Sequence, residues 1–303
     1  MSESRPGKLF VVGTPIGNMD DITIRALRVL SSVEVIAAED TRAAQHLLTH
    51  HQVRAGQPPA KIVSFFAGNE SQRTDEVIAM LLAGKTVALI SEAGMPGVSD
   101  PGQRLVSAAH QHHIRVEVIP GPSAALHALV ASGLPSDRFL FVGFPPRSEG
   151  ERLRLFGSLR HEPGTLIFYE SPERVARTVA DLAQALGDDR NAVVARELTK
   201  LFEEHRRGTL AMLAKNLVEQ PPRGEITLLV SGSGSTEVPL SADSLDVEQE
   251  IRRRVAKGES AKDIATALTV LTGQPRRKLY QLALHIKDSS DAATSQDAGV
   301  PGG

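Results

Sequence analysis

The stretch Leu9-Phe10-Val11-Val12-Gly13-Thr14-Pro15-Ile16-Gly17-Asn18 carries the first decision about the fold. Four apolar residues end on Gly13, and a turn of Gly, Pro and Asn leads into a helical pattern. That is how a strand hands over to a helix in an α/β unit. The pattern repeats outward. Apolar, β-branched runs at residues 9–13, 34–39, 61–66, 86–91 and 115–120 read as strands, with helices between them at 21–31, 74–83 and 103–111. Such alternation predicts a mostly parallel sheet covered by helices. A second α/β set follows, with strands expected at 138–144, 165–170, 192–198 and 225–231. Its helix at 173–186 places Val175, Val179, Leu182 and Leu186 on one face, and Ser171-Pro172 offers it a cap and a first-turn proline.

Beyond residue 231 the texture changes. Ser231-Gly-Ser-Gly-Ser235 is followed by Glu237, Pro239 and Ser241 rather than an apolar helix, so it reads as a linker and not a phosphate loop. Three short helices follow, marked by Val247, Ile251 and Val255, by Ile264, Leu268 and Leu271, and by Leu279, Leu282, Ala283 and Ile286. Ser260 and Asp263 resemble a capping box. The expected organisation is an α/β domain at 8–121, a second at 122–232, a linker at 233–242, a helical domain at 243–287 and a disordered tail at 288–303.

The 303 residues are 41% apolar and 23% charged, an ordinary globular balance. The absence of cysteine excludes disulfides, thiolate metal sites and a cysteine nucleophile. A net charge of −2 argues against a uniformly basic coat for nucleic acid but leaves room for local basic patches. With no Trp and two Tyr, base stacking falls to Phe, Arg or His. Apolar runs such as 87–90 are too short to span a bilayer, and residues 1–8 lack a signal-peptide core. A cytoplasmic protein without membrane contact is expected.

Five segments carry candidate chemistry. Gly13–Asn18 permits close backbone approach to a ligand, but Pro15 stands where the dinucleotide fingerprint requires a second Gly. Ser91-Glu-Ala-Gly-Met-Pro-Gly-Val-Ser-Asp-Pro-Gly102 is longer than a turn needs and follows a strand, where α/β folds bind ligands. Within it, Ser91–Pro96 admits a flat ligand against backbone, Glu92 faces a cation or a ribose, and Asp100-Pro101 reads as a plain helix cap. Pro120-Gly-Pro-Ser-Ala-Ala125 starts a helix at the junction of the two halves. Glu170-Ser-Pro-Glu-Arg174 and Ala195-Arg-Glu-Leu-Thr-Lys-Leu-Phe-Glu-Glu204 place charge at the strand ends of the second half. His46 and His50 have helical metal-ligand spacing without a third ligand, so no metal is expected, and no Gly-x-Ser-x-Gly elbow is present.

Together these blocks resemble the tetrapyrrole methylase (class III methyltransferase) superfamily, and within it the ribosomal RNA small-subunit methyltransferase I family. The matching blocks are Gly13–Asn18 with Asp21-Ile22-Thr23, Glu39-Asp-Thr-Arg42, 91–102, 120–124, 168–174 and 196–200, and in order they cover about residues 8–232. The resemblance implies two αβα domains with S-adenosylmethionine in the cleft between them, and methyl transfer to the ribose 2′-oxygen of a cytidine in the decoding centre of 16S rRNA. It implies cofactor contacts at Pro15, Ser91, Glu92, Ala93, Gly94, Met95, Pro122, Ser123, Ala124, Tyr169 and Ile226.

Partners would be the small ribosomal subunit and, in this fold, a second copy of the chain. Arg42 and the cations Arg276, Arg277 and Lys278 at a helix start are candidates for RNA phosphate, because the macrodipole disfavours cations there unless an anion joins them. Nothing implies DNA binding. Lys200, with Glu197 nearby, is the expected general base, on the view that its pKa is depressed. Two alternatives stand beside this reading: a tetrapyrrole C-methyltransferase, which shares fold and cofactor, and a non-catalytic RNA-binding assembly factor, which has no need of an intact 91–96 loop.

Overall fold

The computed structural model describes residues 7–53, 60–234, 247–272 and 275–296, in two compact units, Met1–Ser233 and Gly234–Gly303. The first unit contains both sheets, so the boundary expected at 121–122 separates two layers of secondary structure inside one compact body.

The first sheet holds β1 (Lys8–Val12), β2 (Val35–Ala38), β3 (Lys61–Ser64), β4 (Val87–Ile90) and β5 (Arg115–Ile119), in the order β3-β2-β4-β1-β5 and parallel throughout. Its helices are α1 (Ile24–Ser32), α2 (Thr41–His50), α3 (Glu70–Leu82) and α4 (Gln103–Gln111). Strand alternation sorts the core into two layers. Val87 and Leu89 of β4 pack with Val77, Ile78 and Leu81 of α3 and Leu105 of α4, while Ala88 and Ile90 pack with Leu30 of α1 and Leu47 of α2. Both faces are buried, which is why β2 and β4 read as unbroken apolar runs.

The second sheet holds β6 (Phe139–Gly143), β7 (Thr165–Glu170), β8 (Asn191–Arg196), β9 (Glu204–Thr209) and β10 (Ile226–Val230), with helices α5 (Ala124–Ser132), α6 (Glu149–Ser158), α7 (Val175–Leu186) and α8 (Leu210–Glu219). Its order is β6-β7-β10-β8-β9, and it is mixed. β6 and β7 run parallel, but β10 is antiparallel to β7 and β8, and β8 to β9. The connection 197–203 is too short for a parallel crossover and closes a hairpin instead. β9 has no counterpart among the expected strands: Glu-His-Arg-Arg-Gly-Thr is an edge strand with every residue half-buried, and it shows no apolar alternation. Phe156 and Phe168 meet edge-on at 5.6 Å in this core. Beside them, buried Arg152 donates to Asp181 at 2.6 Å and to the carbonyls of Pro146 and Arg147.

Two caps differ from expectation. α4 is capped by Gly102 at φ +138, not by Asp100, whose side chain is used elsewhere. α7 begins after Arg174, and Ser171-Pro172 forms a turn whose Ser171 carbonyl accepts from the amides of Arg174 and Val175. The start of α5 is as read: Ser123 caps it, accepting from Leu126 N.

In the second unit, α9 (Val247–Ala256), α10 (Ala261–Thr272) and α11 (Arg276–Gln296) enclose Ile251, Ile264, Leu268, Leu279, Ala283 and Ile286. Ser260 caps α10 by accepting from Asp263 N at 3.2 Å, and its hydroxyl donates to Asp263 Oδ2 at 2.6 Å, a side-chain bond in place of the backbone return of a full capping box. The disorder expected from residue 288 gives way to helix as far as Gln296, because no Gly or Pro interrupts α11 before that point. Residues 297–303 and most of the linker expected at 233–242 lie outside the described residues.

One contact fixes the relation of β1 to β5. A Cβ added to Gly121 would lie 2.8 Å from Gly13 Cα, and one added to Gly13 would lie 2.7 Å from Gly121 Cα. Gly121→Ala is therefore expected to destabilise the protein by about 1–3 kcal/mol, through backbone displacement rather than side-chain repacking. Urea unfolding midpoints measure it, with surface Gly150→Ala, which meets nothing within 4 Å, as the control.

Candidate active site

The carboxyl ends of β1 and β4 are tied together by backbone. Thr14 N donates to Gly94 O at 2.9 Å, and Gly94 N donates to Thr14 O at 3.2 Å. The buried Thr14 hydroxyl adds contacts to the carbonyls of Ser91 and Gly94. Gly94 sits at φ +78, a conformation that favours glycine. The 91–95 loop is thereby held against the turn that follows β1, at the strand ends where parallel sheets bind ligands.

The second sheet supplies the opposite wall through Tyr169 and Glu170 of β7, Ile226 and Thr227 of β10, and the 197–203 connection. The walls interlock. Asn18 N donates to Thr199 Oγ1 at 3.0 Å, and Gly17 lies so close to the 198–200 segment that a Cβ would meet Lys200 Cγ at 2.6 Å and Leu198 O at 3.0 Å. Tyr169 Oη accepts from Ala125 N in the first turn of α5 at 3.3 Å and packs edge-on against Phe141 and Phe144. The enclosed cleft has a volume of about 660 Å³, within the range of small-molecule sites. Ser99, Glu197 and Thr199 hold φ of +64, +50 and +66 at its margins, strain that non-glycine residues keep where geometry is functional.

The two walls differ in charge. On the second, Glu170 is wholly buried and receives Thr178 Oγ1, Ser171 N and Arg174, while Lys200 bridges Glu197 at 3.0 Å and Glu225 at 3.1 Å. On the first stand Glu39, Glu92 and Asp100, and no cation pairs with any of them among the described residues. Glu39 instead accepts from Glu92 N at 3.2 Å. Burial first, then the charges of Glu39 and Glu92, push the Asp100 carboxyl up to about 6, against the opposing Ser91 hydrogen bond. Tyr169 is pushed up by burial and by the charge of Asp100, against the donation from Ala125 N.

Of the residues expected at the cofactor, Pro15, Ser91, Glu92, Ala93, Gly94, Met95, Ser123, Ala124, Tyr169 and Ile226 all line this cleft. Pro122 lines a smaller neighbouring cavity instead, beside His127 and Thr199. Lys200 reaches the cleft, but Glu197 stands behind it, receiving Lys200 Nζ and the Glu225 amide through one carboxylate oxygen.

The expected base does not fit this geometry. Desolvation works to lower the Lys200 pKa, but the hydrogen bonds and charges of Glu197 and Glu225 outweigh it and hold the amine above its ordinary value. Lys200 stays an ammonium at neutral pH, and Glu197 is held an anion by Lys200 and the Glu225 amide.

The block at 39–42 acquires a local purpose: Asp40 caps α2, accepting from Arg42 N and Ala43 N, which turns Glu39 into the cleft and leaves Arg42 exposed on the first turn. Arg276, Arg277 and Lys278 are exposed at the start of α11 in the second unit. Thr14, Glu39, Asp100, Phe144 and Thr227 line the cleft without having been singled out as ligand contacts. Among the described residues no three His, Cys, Asp or Glu side chains cluster as a metal site.

With this geometry in hand, comparison with known proteins is direct. Residues 8–214 match the family model of the tetrapyrrole (corrin/porphyrin) methylases. The chain is 42% identical over 281 residues to "Ribosomal RNA small subunit methyltransferase I" of Synechocystis sp., covering 93% of this chain and 99% of the relative. The Thermotoga maritima protein of the same name is 43% identical over 226 residues, 75% of this chain and 99% of that one. Among solved structures, the uroporphyrin-III C-methyltransferase of Thermus thermophilus superposes with a TM-score of 0.51 at 23% identity, over 74% of this chain and 94% of that one, a likeness of fold. The chain belongs to the tetrapyrrole methylase family, and within it to the ribosomal RNA small subunit methyltransferase I family. It is built as a methyltransferase.

The raised Asp100 pKa makes a stability prediction. A carboxyl whose folded pKa exceeds its unfolded value contributes stability at low pH that is lost as pH rises through the folded value, here about 6. Asp100→Asn should therefore melt above the wild type at pH 8, by a margin that narrows to about half at pH 5 and closes only near the ordinary carboxylate value of 3.8. Thermal unfolding at the two pH values reads the difference.

Proposed function

We propose that the protein transfers the methyl group of S-adenosylmethionine to the ribose 2′-oxygen of a cytidine in the decoding centre of 16S rRNA. The observation that carries this reading is the identity of about two-fifths, over nearly the whole chain, with relatives named for small-subunit rRNA methylation, joined to an intact cleft. The fold likeness to tetrapyrrole C-methyltransferases adds no argument for that substrate. A non-catalytic assembly factor would have no use for a cleft pinned by backbone bonds on one wall and ion pairs on the other.

The residues present suit this cofactor. Pro15, Ala124, Tyr169 and Ile226 offer apolar surface to a nucleoside, with Pro122 behind Ser123 at the edge. The backbone of Ser91, Glu92, Ala93, Gly94 and Met95 offers amides and carbonyls, and Thr14 and Thr227 offer buried hydroxyls. The uncompensated carboxylates of Glu39 and Glu92 suit a ligand that carries positive charge. When bound, S-adenosylmethionine supplies a methyl group already activated by its sulfonium. The chain's own contribution is then to align the acceptor oxygen, exclude water and receive a proton.

RNA contact is assigned to Arg42 and to Arg276, Arg277 and Lys278, exposed cations at helix starts that an incoming phosphate would complement. The working form in this reading is a cytoplasmic homodimer acting on the small ribosomal subunit. Exposed apolar side chains on α5, Leu126 at 50% and Val130 at 82%, offer one face for a second copy.

The test uses labelled S-adenosylmethionine, purified protein and small subunits lacking their own modification. Nucleosides are then resolved by chromatography and mass spectrometry. 2′-O-methylcytidine is the expected product. A cofactor-binding protein that labels neither subunits nor free rRNA overturns the reading.

A further inference from the structure

Within the cleft, charge is neutralised on one wall and left open on the other. Glu170, Glu197 and Glu225 each meet Arg174 or Lys200, whereas Glu39, Glu92 and Asp100 meet no cation among the described residues. Crowded anions without a counter-ion disfavour the ionisation of a buried neighbour, and here that neighbour is Asp100.

Of the three, Asp100 is the one placed to accept a proton. It is half-buried and lines the cavity, on the same wall as Glu39 and Glu92. Its segment is pinned on both sides: Ser99 is held at φ +64, and Gly102 N donates to Glu70 Oε1 of α3 at 2.9 Å. The groups that face it are Glu39 from the end of β2, Glu92 and Ser91 from its own loop, and Tyr169 from β7. His46 of α2 and Lys200 line the same cavity.

We propose that Asp100 is the general base of the methyl transfer, taking the proton of the acceptor hydroxyl, with Glu39 and Glu92 beside it on the same wall of the cleft. The assignment rests on the hydroxyl acceptor of the reading above. In the step, the acceptor O–H bond breaks and its proton passes to Asp100 Oδ. The freed oxygen pair forms the bond to the methyl carbon, the methyl–sulfur bond breaks, and its electron pair stays on sulfur, leaving a neutral thioether. Asp100 then returns its proton to solvent through the open side of the cleft.

The other cleft groups are poorer choices. Lys200 is held protonated by two carboxylates, and Glu197 is held ionised behind it. The Tyr169 phenol is pushed further from ionisation and accepts a backbone amide. A carboxylate raised to about 6 is ionised at neutral pH and more basic than an ordinary Asp, the poise a general base needs.

The experiment is single-turnover methyl transfer to small subunits across pH 5–9, for wild type, Asp100→Asn and Asp100→Glu. Calorimetric titration of S-adenosylmethionine into each protein at pH 7.5 accompanies it. In wild type the rate should rise tenfold per pH unit and level off at or below about pH 6, since a bound cation lowers the inflection of the free group. Asp100→Asn should lose on the order of 10²-fold or more in rate and lose that inflection, with cofactor affinity within threefold of wild type. Asp100→Glu should restore part of the rate.

A rate for Asp100→Asn within threefold of wild type overturns the proposal, as does an acid limb that persists in that variant. Cofactor binding lost in proportion to rate also overturns it, by making Asp100 a cofactor ligand. If wild type binds the cofactor but methylates no RNA, the acceptor reading has failed and the base falls with it. A wild type active on RNA beside an equally active variant removes the base alone.

Discussion

Two glycine backbones in contact at the carboxyl ends of β1 and β5 set the geometry on which the cleft depends. Gly13 and Gly121 approach so closely that neither tolerates a Cβ, and the turn after β1 therefore leaves the sheet in one direction only. That direction carries Thr14 onto Gly94, Ile16 over the cavity and Gly17 against Lys200. Segments far apart in sequence, at 13–17, 91–102 and 121–125, are brought together by backbone contacts, and the Thr199 hydroxyl and Lys200 side chain join the 198–200 segment to them. A site built this way is organised before any ligand arrives, which is what a transfer governed by alignment requires.

Charge is distributed with the same economy. The wall from the second sheet spends its cations inside the protein: Lys200 spans Glu197 and Glu225, and Arg174 closes over buried Glu170 while donating to the Pro145 and Pro146 carbonyls. Those pairs are structural, holding the 197–203 connection and the β7–α7 turn in place. The first wall keeps its negative charge for whatever enters. A lysine beside carboxylates invites assignment as a base from sequence, yet the same carboxylates keep it protonated and so unable to accept a proton.

Much of this was legible in the chain because glycine and proline punctuate it at strand ends. The five strands of the first sheet, helix α4 and the Ser123 and Ser260 caps follow from local patterns that tertiary context left alone. β9 was hidden because an edge strand guarded by Glu204, Arg206 and Arg207 carries no apolar alternation. Asp100 was misassigned for a related reason. Asp-Pro ahead of a helix is a cap in most proteins, and only the fold shows Gly102 capping α4 and releasing the carboxylate into the cleft. Glu39 likewise becomes intelligible once Asp40, next to it, is seen to cap α2.

The second unit bears on where affinity and chemistry reside. Among the described residues, those that line the cleft belong to the first unit. The Thermotoga maritima relative is matched over 99% of its length by 226 residues, a span that the first unit, Met1–Ser233, is long enough to contain. A family member can therefore dispense with length that this chain keeps. What the added helices offer is an exposed run of Arg276, Arg277 and Lys278 in the first turn of α11, with no acidic residue there to offset the macrodipole. That unfavourable placement is the physical ground on which the proposed phosphate contact of this segment rests. In the proposed function the cleft of the first unit is the place of methyl transfer, and Arg276, Arg277 and Lys278 of the second are cations offered to phosphate.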